Sequence, residues 1–220
     1  MHDAVKDNIE KRAKRVIAAL KANNMEGWYL PDAAGVREFV EKLIPEGATV
    51  ANGGSMTLAE TGVMDLLASG RYEFLDRTGL AGEELGKLYR RVFSADWYLA
   101  SANAITEAGE IYNVDGNSNR VAAICYGPRS VIMVVGCNKI VRDIPAAVIR
   151  VKRRSAPANV ARLRCDTPCA KTGSCAGIQR EGMTDGCGVD GRICCNYLVS
   201  ARQRVPGRIK VILVGEELGY

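Results

Sequence analysis

Histidine occurs once in this 220-residue chain, at position 2. A Ser-His-Asp triad, a Cys-His pair and a histidine-ligated zinc site are thereby all but excluded, because each needs an imidazole inside the fold. Acid–base chemistry falls to Asp, Glu, Lys, Tyr or Cys, and any metal would be held by sulfur or carboxylate. Long apolar runs are missing as well: none approaches the roughly 20 residues a membrane helix requires. The opening residues carry Asp3, Asp7 and Glu10 among lysines and lack the apolar stretch of a secretory signal. A cytoplasmic location and no membrane partner are therefore expected. There is no Walker A loop, no GxGxxG fingerprint, no internal repeat and no low-complexity tract.

What is present is ordinary in amount and uneven in placement. Hydrophobic residues make up 47% and charged residues 25% of the chain, which suits one large domain, or one domain with an appendage, that buries a sizeable core. Residues 151–210 hold twelve Lys/Arg against four Asp/Glu, whereas the other 160 residues are slightly acidic. Six of the eight cysteines fall between Cys165 and Cys195. The basic run Arg150, Lys152, Arg153, Arg154, Arg162 and Arg164 is not interleaved with aromatics and matches no nucleic-acid motif. It reads as a solvated helix face, with nucleic acid not expected as a partner.

Before residue 150 the pattern alternates helix and strand. Val5, Ile9, Ala13, Val16, Ile17 and Leu20 recur at helical spacing, as do Val36, Phe39, Val40 and Leu43 after Pro31-Asp32. A strand at 48–52 leads into Gly53-Gly54-Ser55 and a helix that ends at Gly70, with Thr57 and Glu60 placed as a capping box. Strands are predicted at 72–75, 97–102 and 131–135, with a helix carrying Leu85, Leu88 and Val92, and another at 118–125. A hairpin turns at Glu107-Ala108-Gly109, helices continue at 143–152 and 157–163, and a late strand covers 208–214. Strands apolar on both sides, alternating with helices, predict an α/β fold with three layers and a mostly parallel sheet. The expected organisation is N-terminal helices packed on the core over 1–45, an α/β core over 46–164, a cysteine-rich loop over 165–195 and C-terminal strands completing the sheet over 196–220.

In such sheets ligands bind beyond the C-terminal ends of the strands. Those ends supply Gly53, Gly54, Ser55 and Thr57, where helix N–H groups suit an anion, then Asn103, Asn113, Asn117 and Lys139 as candidate ligand-binding residues. Glu107 and Asp115 are the candidate acid or base, provided their surroundings shift their pKa values. The C-terminal cysteines run Cys165-x3-Cys169-x5-Cys175-x11-Cys187-x6-Cys194-Cys195, with six glycines between Cys169 and Cys194. A reducing compartment disfavours disulfides, and a loop so poor in large apolar residues gains order from a metal. An iron–sulfur cluster and an all-cysteine zinc site both satisfy that reading, as does a flexible redox-active thiol loop. Cys125 and Cys137 read as buried structural thiols.

The segment Ala51–Gly62, with Ala102–Gly116, Val134–Val141 and Arg208–Gly219, resembles the lactate-utilization (LUD) domain family. That resemblance implies a fold akin to the glucosamine-phosphate isomerase, ribose-phosphate isomerase and CoA-transferase group. It also implies a link to the oxidation of L-lactate to pyruvate alongside iron–sulfur partners. Glu107 is then a counterpart of the CoA-transferase glutamate, and Asp115-Gly116 of the acidic loop of phosphosugar isomerases. The deaminases of that group use a histidine, which this chain does not offer. Pro168-Cys169…Thr172-Gly173-x-Cys175 and Arg192-Ile193-Cys194 resemble the cysteine-bearing C-terminal segment of a subset of LUD proteins. This implies Cys169, Cys175, Cys187 and Cys194 as metal ligands, with Cys165 and Cys195 in reserve. The expected function is a component of lactate or 2-hydroxy-acid oxidation that takes a small carboxylate. The alternative is a non-redox CoA-transferase-like or phosphosugar-isomerase-like enzyme or binding module, with structural zinc or free thiols.

Overall fold

The computed structural model of the chain describes residues 2–180 and 182–220. The first helix, α1 (Asp3–Ala22), begins where the exposed His2 imidazole accepts the Ala4 N–H, and it buries Ala13, Val16 and Leu20. The chain's one histidine is thus a helix cap. β1 (Glu26–Leu30), which the hydrophobic pattern did not reveal, precedes α2 (Val36–Leu43) and β2 (Thr49–Asn52). The helix expected up to Gly70 is two short ones, α3 (Met56–Glu60) and α4 (Val63–Leu67), parted by Gly62 in the left-handed region. The capping box does not form: Ser55 is the cap, its hydroxyl accepting the Leu58 N–H, and Thr57 is buried.

β3 (Glu73–Phe74), α5 (Gly82–Arg91) and β4 (Trp97–Ala100) lead to the hairpin of β5 (Ala104–Thr106) and β6 (Ile111–Asp115). Then come α6 (Asn119–Cys125), β7 (Ser130–Gly136), the two-residue β8 (Ile140–Val141) and α7 (Ile144–Arg150), which Asp143 caps. A π-helical turn, Val151–Ser155, joins α7 to α8 (Ala156–Leu163). Pro157 has no N–H to give the preceding turn, and the Ala156 N–H reaches back five residues to the Val151 carbonyl. α9 (Pro168–Thr172), β9 (Asn196–Ser200) and β10 (Ile209–Val214) complete the order.

The main sheet has six strands in the order β1-β10-β7-β4-β2-β3, every neighbouring pair parallel. β7 explains why it reads as one apolar run: Val131, Met133 and Val135 enter one cluster, and Ile132 and Val134 enter the other. α1 covers the first face with Val16 and Leu20, and α2 and α4 cover the second with Val40 and Leu66. Full burial of each such side chain contributes about 1.5–3 kcal/mol, so a strand buried on both faces outweighs weak local propensity. The architecture is the three-layer α/β/α fold with a mostly parallel sheet that the sequence predicts. β10 lies inside this sheet, between β1 and β7, while β9 joins a second sheet, β8-β5-β6-β9.

That second sheet docks against α1 through the hairpin. Gly109 stands at φ +81°, and a Cβ there would lie 2.8 Å from the Leu20 backbone nitrogen. Only glycine allows this approach. Cys125, expected inside, is exposed because it ends α6 beyond the buried Ile124, and Cys137 is half-buried.

Candidate functional site

All six main-sheet strands point their C-terminal ends the same way, and loops at that end line a cavity of about 510 Å³. Gly54, Ser55 and Thr57 reach it from the loop after β2, and Ser101 and Asn103 from beyond β4. Asp115, Asn117 and Arg120 line it from the end of β6 and the start of α6, and Lys139 from the turn after β7. The π-helical turn adds Ser155, and the cysteine-rich loop closes one side with Cys165 and Asp190–Cys194.

Lys139 is 3% exposed, an uncommon condition for an amine. Its Nζ donates to Thr57 Oγ1 at 2.9 Å and to Ser101 Oγ at 3.0 Å, and among the described residues no carboxylate pairs with it. Burial is the main force that drives its pKa down, to about 7; the nearby charges of Arg150, Arg120 and Arg154 add to this, and Glu60 opposes it. The Glu60 carboxylate is itself engaged, accepting the Gly219 N–H at 2.7 Å.

Arg120 is the organising cation. Its Nε lies 2.8 Å from Asp115 Oδ1, and its Nη atoms donate to the Ser101 and Val114 carbonyls and to the Oδ1 atoms of Asn113 and Asn103. Asp115 Oδ2 accepts the N–H groups of Arg120 and Val121, which starts α6. Asp115 therefore enters the cavity wall as a paired, doubly capped carboxylate. Gly53 lies outside the lining but lets Arg120 cross the backbone, since a Cβ there would sit 2.8 Å from Arg120 Cδ. Asn113 is fully buried behind the wall, its Oδ1 held by Arg120 and its Nδ2 without a partner among the described residues.

Glu107 stands apart. It sits at the hairpin turn, about two-fifths exposed, and its carboxylate meets Arg12 Nε of α1 at 2.8 Å. It does not line the cavity. The structure thus brings together Gly54, Ser55, Thr57, Asn103, Asp115, Asn117 and Lys139, and separates them from Glu107.

Several cavity residues are not among the ligand-binding candidates read from the sequence. Arg77, beyond β3, lies over Gly54, 3.0 Å from where a Cβ would stand, and among the described residues no carboxylate pairs with it. Arg162 is held by Tyr220 Oη at 2.5 Å and by Asn159 Oδ1. The lining has five cationic side chains, Arg77, Arg120, Lys139, Arg162 and Arg192, and two carboxylates, Asp115 and Asp190. An anion is the ligand such a wall attracts. The basic run expected as a solvated face divides accordingly. Arg150 turns inward to the Asn138 and Asn103 carbonyls and Ser155 Oγ, and Lys152 holds the Gly177 carbonyl at 2.8 Å.

Cys169, Cys175, Cys187 and Cys194 all line a second, much smaller cavity of about 30 Å³ between α9, the π-helical turn and β9. Burial pushes the Cys194 thiol up to about 12, with further upward pressure from Cys175, Cys169 and Cys187, and Arg192 opposing. Four soft sulfur donors around one pocket fit the chemistry of a zinc ion or an iron–sulfur cluster. Among the described residues, however, no three side chains of His, Cys, Asp or Glu are drawn together as a metal site. The donors fit in kind and number. Cys165 faces the larger cavity and Cys195 is exposed.

A three-layer α/β/α fold with a cationic cavity at the strand ends of its sheet defines the architecture. The LUD domain family matches residues 13–214, and the chain belongs to that family, which is associated with lactate utilization. A solved structure, a DUF162 family protein from Deinococcus radiodurans, is similar over 94% of this chain and 98% of its own, at 16% identity with a TM-score of 0.51. That likeness supports the fold. No curated protein sequence matches the chain. Among the described residues no helix is long and apolar enough to cross a membrane.

Proposed function

We propose that the cavity binds a small 2-hydroxy or 2-oxo carboxylate, and that the chain is a component of lactate or 2-hydroxy-acid oxidation. The observation that carries this reading is the cavity wall itself, where the Arg77 side chain has no hydrogen-bond or carboxylate partner among the described residues, while Lys139, Arg120, Arg162 and Arg192 are each engaged by protein groups. A ligand carboxylate supplies what Arg77 lacks, through the paired N–H groups of its guanidinium. Asp115 and Arg120 act in this reading as the rigid frame for Asn103 and Ser101. The four cysteines of the second cavity would hold an iron–sulfur cluster that supplies electron transfer, or a structural zinc.

Thermal shift with L-lactate, pyruvate, an acyl-CoA and ribose 5-phosphate tests the cavity. A ligand at a hundredfold its Kd stabilises by about 2.7 kcal/mol, which for a chain of this size raises Tm by about 5–10 °C. The expected result is that shift with lactate or pyruvate and its loss in Arg77→Gln. Stabilisation by the acyl-CoA or sugar phosphate alone would favour the CoA-transferase-like or phosphosugar reading.

A further inference from the structure

Lys139 has more N–H groups than its surroundings accept. An ammonium carries three, and the described residues offer two acceptors, Thr57 Oγ1 and Ser101 Oγ. Both hydroxyls are oriented by carbonyls of their own, Leu218 for Thr57 at 3.4 Å and Ala102 for Ser101 at 3.4 Å, so each offers a lone pair to the amine. A neutral amine with two N–H groups satisfies this arrangement fully and keeps its own lone pair free. The amine also sits on the lining of the larger cavity, on the same loop-bounded wall as Gly54, over which Arg77 lies. A carboxylate on Arg77 would bring the adjacent carbon of a small acid toward that wall.

We propose that Lys139 is a nucleophile that captures the carbonyl carbon of a 2-oxo acid as an imine. The proposal rests on the reading of the cavity as a carboxylate site and adds to it the chemistry of the neighbouring carbon. The Nζ lone pair forms the C–N bond while the carbonyl electron pair moves to oxygen. A proton passes from nitrogen to that oxygen through the Ser101 or Thr57 hydroxyl, giving the carbinolamine. The C–O bond then breaks, water leaves with a second proton, and the nitrogen lone pair closes the C=N bond. No electrons are gained or lost, and water reverses every step. A nucleophilic lysine has to be neutral near the working pH. Burial, with Arg150, Arg120 and Arg154 nearby and only Glu60 opposing, brings Lys139 to that condition.

The test incubates the full chain with pyruvate and sodium borohydride, then locates adducts by intact mass and peptide mapping, with a thermal shift run in parallel. The expected product is one adduct, the mass of pyruvate less one water plus two hydrogens, on Lys139. It is absent from Lys139→Arg and Lys139→Met, and its yield rises as pH passes upward through about 7. Adducts spread over several lysines, or unchanged in Lys139→Arg, overturn the proposal. Thermal stabilisation by pyruvate without an adduct in the wild type overturns the imine and leaves the carboxylate site standing. Neither stabilisation nor adduct overturns both. Because the mapping is done on the wild-type chain, the result does not depend on how the variants fold.

Discussion

Lys139 is a buried basic side chain and Arg120 a mostly buried one, and their surroundings treat them in opposite ways. Arg120 has a carboxylate and four oxygen acceptors, so its charge is compensated where it stands. Lys139 has hydroxyls only, and the neutral form relieves the cost of desolvation. The sign of its pH dependence follows. Its folded pKa, about 7, lies below the ordinary 10.5, so between those values the unfolded chain binds the extra proton and stability rises with pH. Below about 7 the penalty for charging the folded state is present in full. Comparing Lys139→Met with wild type by chemical denaturation isolates this contribution. The wild type should gain stability relative to the variant from pH 7 to about 10.5, and a flat difference would contradict it. Little of this was legible beforehand. Asn138-Lys139 in a short turn looks like any surface lysine, and its burial arises from Thr57, Ser101 and Gly219, which lie far away in sequence. Arg77 and Arg120 were hidden for the same reason, whereas the glycine–serine loop and the Asn103 segment announced themselves as strand ends.

At the scale of the element, the docking of the β5–β6 hairpin against α1 depends on Gly109 and on the Arg12–Glu107 pair. The pair is partly exposed and contributes little, about 1 kcal/mol or less. Gly109 matters more, because a side chain meets both a left-handed φ and the α1 backbone. Gly109→Val should destabilise by about 2 kcal/mol or more, while Glu107→Gln should be nearly silent in denaturant unfolding. The elements easiest to read were those with strong local signals: α1 from its stripe and β7 from its continuous apolar run. β1 escaped because it carries polar Glu26 at its start and lies at the edge of its sheet, while β9, within the 196–220 stretch read as strands, joins the second sheet rather than the main one. Their pairing partners, Ile209–Val214 for β1 and Ile111–Asp115 for β9, are far off along the chain, and no local pattern encodes such pairing. The helix expected to run from Thr57 to Gly70 broke at Gly62 for a local reason: a left-handed residue ends the first helix and caps the second.

At the scale of the molecule, the two cavities share a wall. Ile193, Arg192 and Cys194 line both, so a change in the loop that carries the four cysteines also reaches the larger cavity. Anaerobic purification should yield protein with bound iron and sulfide or with zinc. Replacing Cys169 and Cys175 by serine should remove the metal, lower Tm and weaken lactate or pyruvate stabilisation together. Metal-free protein with unaltered ligand response would detach the second cavity from the first. The interior position of β10 has a consequence for how the chain is made. While a ribosome is still synthesising residues before 209, β1 has no strand to pair with and α1 has only part of its floor. β1, which precedes every other strand of this sheet along the chain, therefore joins it last, once β10 has paired with β7.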